Sequence, residues 1–151
     1  MKHLFENHDL ATAECGQFVD VTDDLRDMVV RSGVANGMAL VYSPHTTCAV
    51  VINERESGFI QDFNEFLERT APSEGPYYRH DDLAIRTEGL EDDPHEFPNG
   101  HSHVRAAMLS SSSQTIPIVG GELLLGRYQK VFFCELDRGK ERKVFMQVLG
   151  E

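Results

Sequence analysis

The sequence predicts an α+β fold: one domain over residues 1–151, a sandwich of largely antiparallel strands with two to three helices. Three observations carry this. Two early segments repeat apolar residues at helical spacing between good start and stop signals. The last third is β-rich and broken by glycine turns. The length of 151 residues, 40% of them hydrophobic, supports one core and leaves no room for a second.

Taken in order, His3 to Glu14 and Gln17 to Val21 alternate around Gly16 and predict an opening hairpin. Thr22 as cap, acids at Asp23 and Asp24, apolar Leu25, Met28 and Val29, and a closing Gly33 predict a helix over about 23–32. Two apolar strands, Met38–Tyr42 and Cys48–Ile52, flank the polar hinge Ser43-Pro44-His45-Thr46-Thr47. Phe59, Ile60, Phe63, Phe66 and Leu67 give an amphipathic helix over about 57–69, ended near Pro72, whose aromatic stripe belongs to the core. Val104, Ala107, Met108 and Leu109 predict a short third helix. Gln114–Val119 contains Pro117 and so suits an edge strand, and Gly120-Gly121 turns it into Glu122–Leu125. Tyr128–Leu136 has a Val131-Phe132-Phe133-Cys134 centre that is apolar on both faces, and Asp137–Lys140 is expected to turn it back into Arg142–Leu149 as a hairpin.

Charge and composition exclude several classes. A net charge of -11 offers no clustered cations to displace counterions from a phosphate backbone, so nucleic acid is not an expected partner. The first twenty residues hold no apolar leader and no run approaches a membrane span, so a soluble, cytoplasmic protein with no membrane partner is expected. Three cysteines, Cys15, Cys48 and Cys134, form no C-x-x-C pair and suit a reducing compartment as buried or incidental thiols.

The chemistry concentrates between Arg79 and His103, where four of the seven histidines and seven carboxylates fall within 25 residues. Apolar periodicity lapses there, and Pro94, Pro98 and Asn99-Gly100 break the backbone, which marks a loop. Imidazole and carboxylate are the ligands that zinc and other divalent ions take, although a solvated acidic loop has the same composition. The spacing matches neither a zinc finger nor a helical HExxH pair. His101 and His103 are two apart on a helix and diverge by about 200°, so one metal cannot take both there. The hinge is a second polar cluster, with one imidazole and two hydroxyls at the ends of buried strands. Ser110 to Ser113 reads as a linker or as a phosphate cradle.

Several short motifs occur in one order along the chain: HTT at His45–Thr47, Asn53-Glu54, Tyr78-x-His80, Ser102-His103, MLSSS at Met108–Ser112 and GRYQ at Gly126–Gln129, together with Glu135 and the terminal Gly150-Glu151. In these the sequence resembles the YjbQ family, formerly an uncharacterised protein family and often labelled secondary thiamine-phosphate synthase, over essentially its whole length. The resemblance implies a homotrimer with a metal or anion site near a subunit interface, and a weak ability to join the pyrimidine pyrophosphate and thiazole phosphate halves of thiamine. The family's histidines fall on His45, His80 and His103, which are the expected ligands of a divalent ion, zinc or magnesium; His45 and His103 are also expected in catalysis with Glu54. Thr46, Thr47, Asn53, Ser112, Arg127 and Gln129 are the expected contacts to a small phosphorylated substrate. His95 and His101 do not fall on family histidines. The sequence departs at Tyr128, where the family usually has Trp, and at Ser110, where it usually has Gly.

Three imidazoles and an open position would suit a catalytic ion that stabilises departing pyrophosphate. The alternatives are a metal-dependent hydrolase of small phosphate esters, with Glu54 as base, and a non-catalytic trimeric metal-binding or ligand-binding protein. The strands from Gln114 onward and the Val131–Cys134 run are expected to supply the subunit interface.

Overall fold

The computed structural model describes residues 1–90 and 96–151. His95 and Pro94 of the polar loop therefore lie outside the described residues. The strands are β1 (Lys2–Ala11), β2 (Phe18–Asp20), β3 (Asn36–Tyr42), β4 (Cys48–Glu54), β5 (Ser113–Val119), β6 (Glu122–Leu123), β7 (Gln129–Glu135) and β8 (Glu141–Gly150). The helices are α1 (Thr22–Ser32), α2 (Ser57–Thr70) and α3 (Gly100–Leu109), and a single 3-10 turn covers Arg79–Asp81. Among the described residues, no helix is long and apolar enough to cross a membrane.

Two antiparallel sheets result, one ordered β1-β8-β3-β5-β6 and one ordered β2-β7-β4. The Val131–Cys134 run explains their stacking, because its side chains alternate in direction and none is more than 1% exposed. Val131 and Phe133 point to the large sheet and meet Val41, Met146 and Val148, while Phe132 and Cys134 point away and meet Leu67 of α2. The small sheet is thus the middle of three layers, with α2 and α3 outside it. Leu25, Met28 and Val29 of α1 join the core between the sheets. The Val131–Cys134 run is used up within the chain, so it cannot supply a subunit interface.

Both early helices form where the apolar spacing put them, with different caps. Thr22 lies inside α1, and its hydroxyl accepts the Val131 N–H at 2.8 Å instead of capping. Gly33 ends α1 in the left-handed region at φ 62°. Glu56 caps α2 by accepting the Gly58 and Phe59 N–H groups at 2.8 and 2.7 Å.

Two expected hairpins are absent. β1 pairs with β8 and β2 pairs with β7, so the turn at Gly16 (φ 81°) carries the chain from the large sheet to the small one. The Asp137–Lys140 turn likewise leaves β7 in the small sheet and delivers β8 to the large one. Gly139 is required there, because a Cβ would lie 2.4 Å from the Ala13 carbonyl oxygen. The Gly120-Gly121 hairpin forms as expected, with both φ values positive and Val119 opposite Glu122. β5 lies between β3 and β6 and is not the edge strand expected: β6 pairs with Ile118 and Val119, and the Leu124 N–H donates to the Pro117 carbonyl at 2.8 Å, which leaves only the earlier part of β5 open on that side.

α3 turns its expected apolar face outward: Val104 and Met108 are exposed, while His101, Ser102 and Arg105 are buried. The inward polar face is satisfied, since Arg105 donates to the Ala71 carbonyl at 2.9 Å and pairs with Glu68. Ser110 follows α3 with φ 47°, the one non-glycine positive φ among the described residues, which explains why glycine suits that position. Ser110→Gly is expected to stabilise the fold by about 0.5–1 kcal/mol, read as a higher urea midpoint.

Glu135 is fully buried and receives Arg142 Nε and Nη2 at 2.6 Å each, Thr12 Oγ1 at 2.8 Å and the Asp137 N–H at 3.0 Å. Glu135→Leu alone strands the buried guanidinium and is expected to cost about 3–5 kcal/mol in urea unfolding, whereas adding Arg142→Met recovers most of that loss.

Candidate functional site

The hinge between β3 and β4 crosses from the large sheet to the small one and places His45 at the sandwich's end. The Ser43 hydroxyl accepts the His45 N–H at 3.3 Å, and the ring stands edge-on to Phe133 with centroids 6.2 Å apart. His45 Nε2 accepts the Lys143 N–H at 3.0 Å, which puts the ring proton on Nδ1. Burial lowers the His45 pKa, and the nearby Arg142 charge lowers it further, so the ring is neutral. Thr47 is buried and receives Arg142 Nη2 at 3.3 Å, whereas Thr46 is exposed.

The opposite wall comes from the 3-10 turn and α3. His80 lies on the turn and His103 on the first turn of α3, with ring centroids 4.4 Å apart. Glu96 completes the group: one ligand atom from each of His80, Glu96 and His103 lies within 4.8 Å of the other two. Arg86 holds this wall by pairing with Glu96 and donating to the His80 carbonyl at 3.1 Å. Among the described residues, His103 Nε2 is buried with no hydrogen-bond partner, as is Asn99 Oδ1. Burial lowers the His103 pKa, and His80 adds to the effect, so His103 offers the neutral imidazole that a metal takes. Two histidines and a glutamate are a zinc ligand set that leaves a position open, and the partnerless Nε2 fits a role in ligation.

Asp137 and its partners connect the walls. Asn99 Nδ2 and Lys140 Nζ donate to Asp137 Oδ2 at 3.3 and 2.6 Å. Burial alone would raise the Asp137 carboxyl, but these hydrogen bonds outweigh it and hold the pKa below the usual value. Between the walls lie two adjoining spaces that share His45, Thr46 and His103. One, about 260 Å³, adds Thr47, Glu96, Asn99, Lys140 and Arg142. The other, about 430 Å³, adds Cys48, Ala106 and Ser110 to Ser112.

The structure therefore gathers His45, Thr46, Thr47, His103 and Ser112 at one cleft, with His80 beside it. The candidate ligand set differs from the expected one: Glu96 stands with His80 and His103, while His45 lies outside the group with its Nε2 already engaged. Asn53, Glu54, Arg127 and Gln129 are elsewhere. Glu54 ends β4 opposite Gln129, six residues and about 20 Å along the strand from the hinge end. Asn53 Oδ1 accepts the Glu54 N–H at 2.8 Å, Gln129 Oε1 accepts the Gly126 N–H at 2.7 Å, and Arg127 stacks on Tyr128 at 5.3 Å. His101 is a core histidine, its Nε2 3.1 Å from Ser102 Oγ. Glu96 and Arg86 were the residues that sequence reasoning missed; the only signal was the density of carboxylates in the loop.

Residues 6–151 match the family described as UPF0047 protein YjbQ-like, and the chain belongs to that family. A UPF0047 protein of Archaeoglobus fulgidus is 35% identical over 93% of this chain and 97% of its own length. One from Methanothermobacter thermautotrophicus is 34% identical over 94% of this chain and 89% of its own. A YbjQ-like protein of unknown function from Sulfolobus solfataricus has a solved structure that superposes with a TM-score of 0.81 at 30% identity, over 99% of both chains. A hypothetical protein from Aeropyrum pernix superposes at 0.80 with 32% identity, over 98% of this chain and 99% of its own.

Elemental analysis is expected to find bound divalent metal that falls well below roughly one ion per chain in His80→Ala and Glu96→Gln and is kept in His45→Gln. Equal loss in all three would restore His45 to the ligand set.

Proposed function

We propose that the chain is a metal-dependent transferase of the thiamine-phosphate synthase type, joining a pyrimidine pyrophosphate to a thiazole phosphate. The convergence of His80, Glu96 and His103 beside a cleft with hydroxyls and two cations supports this reading most directly. A divalent ion held there would supply charge stabilisation to departing pyrophosphate. The thiazole nitrogen attacks the pyrimidine CH₂, the C–O bond to pyrophosphate breaks, and pyrophosphate leaves with the electron pair. No proton has to be removed from the attacking nitrogen. Thr46 and Ser112 line the cleft and would donate to phosphate oxygens, as would the His45 Nδ1 proton. Cys48 lines the cleft, but burial and the Glu135 charge push its thiol up to about 12, so it is no covalent nucleophile. Lys140 and Arg142 are already paired with Asp137 and Glu135, which leaves the cleft little net positive charge and predicts slow turnover.

A ligand set of two histidines and a glutamate is also that of hydrolytic zinc enzymes, which supports a second reading, hydrolysis of small phosphate esters. Glu54 is too far along β4 to act as its base within the same chain. The test is an assay for thiamine phosphate, with added metal and with chelator, on the wild type, His45→Ala and His103→Ala. Product in the metal-loaded wild type and at least tenfold less in both variants is expected, since a lost acid or charge-stabilising group typically costs 10²-fold or more. Phosphate release from simple esters with no condensation product would replace the transferase by the hydrolase.

The homotrimer is part of this proposal. The outer face of the large sheet presents Phe5, Met38, Tyr42 and Val119, all exposed, with Phe145 packed between Phe5 and Tyr42 at 5.8 and 6.2 Å. An apolar face of this kind suits burial against another copy. Light scattering at micromolar concentration is expected to give a trimeric mass, and Tyr42→Glu with Phe145→Glu a monomeric one.

A further inference from the structure

Asp81 touches the His80 ring directly and also holds the start of α3, the helix that carries His103. Its Oδ1 accepts the Asn99 and Gly100 N–H groups at 2.9 and 2.8 Å, the free donors at the start of α3. Asn99 itself gives α3 no side-chain cap, so the cap comes from a residue 18 positions earlier. Gly100 permits this approach, because a Cβ there would lie 2.6 Å from Tyr78 Cβ and 3.2 Å from Asp81 Oδ2. The same Oδ1 is 3.3 Å from His80 Nδ1.

His80 Nδ1 also lies 3.3 Å from Arg86 Nη1, and the two neighbours demand opposite tautomers. A guanidinium only donates and an ionised carboxylate only accepts. With the proton on Nδ1, His80 donates to Asp81, and Arg86 Nη1 keeps its acceptors in Glu96 and the His80 carbonyl. With the proton on Nε2, two acceptors face each other at Asp81 and Arg86 gains only a weak third contact. The first arrangement satisfies every group.

We propose that Asp81 is a positioning residue: its carboxylate fixes His80 in the tautomer whose Nε2 carries the lone pair, and the same oxygen seats the first turn of α3, which holds His103. This rests on the metal reading of His80, Glu96 and His103 for its purpose, while the tautomer and the cap stand on the geometry alone. A carboxylate behind a ligating imidazole raises its basicity, and its loss typically lowers metal affinity 10–100-fold.

The test uses the full-length chain. In the metal-free wild type, ¹⁵N spectra of the imidazoles are expected to show His80 protonated at Nδ1; a proton on Nε2 with a bare Nδ1 overturns the proposal whether or not metal binds. Asp81→Asn keeps an oxygen for the α3 cap, so its urea midpoint is expected to stay near that of the wild type, while zinc affinity measured by dye competition falls about tenfold or more. Wild-type zinc affinity in Asp81→Asn would also overturn it. Absence of zinc binding in the wild type would sink the metal reading instead and leave the spectra to decide the tautomer.

Discussion

A carboxylate with no solvent exposure must be met by fixed donors, and the Glu135–Arg142 pair is the constraint on which the rest of the structure depends. Glu135 ends the small sheet's central strand and Arg142 begins the large sheet's β8, so the bidentate pair sets how the two sheets meet at one end. Thr12, from the chain leaving β1, and Thr47, from the hinge entering β4, complete the set. Three separate crossings between the sheets therefore close on one buried charge pair. A charge in that setting is tolerated only when every lone pair and proton is answered.

The site inherits its geometry from this arrangement. Lys143, next to Arg142, gives His45 the N–H that orients its ring. Asp137, two residues after Glu135, receives the Asn99 side chain just ahead of α3, which carries His103. Both walls of the cleft are thus referenced to the same pair, one through β8 and one through the turn after β7. The protein's acidity is not repeated in the cleft, where Lys140 and Arg142 balance Asp137 and Glu135. The acidic excess lies on outer surfaces such as the start of α1 and the outward side of α2.

Local pattern was the legible part of the sequence. Apolar spacing located α1 and α2, the Gly120-Gly121 pair located its hairpin, and the polar hinge and His-rich loop located the two walls of the cleft. Strand partnership was not legible, because a turn signal such as Gly16 or Gly139 specifies a change of direction and says nothing of which sheet receives the next strand. The inward face of α3 was misread for a related reason. Arg105 becomes a core residue only once Glu68 and the Ala71 carbonyl meet it, and those partners lie more than thirty positions away. Glu96 stayed hidden among six other carboxylates, since no spacing rule singles out the one that a distant Arg86 turns toward two histidines.

The closing of three crossings on Glu135 also bears on the order of assembly. Thr12 and Glu135 are 123 positions apart, and Thr47 and Arg142 are 95 apart. Contacts of such long sequence separation form only after most of the chain has been ordered, because the entropy of the intervening loops must be overcome first. The helices and the Gly120-Gly121 hairpin can form locally, but the end of the sandwich that bears the cleft cannot. The cleft therefore assembles no earlier than the large sheet itself, whose β1–β8 pairing joins positions as far apart as Lys2 and Gly150.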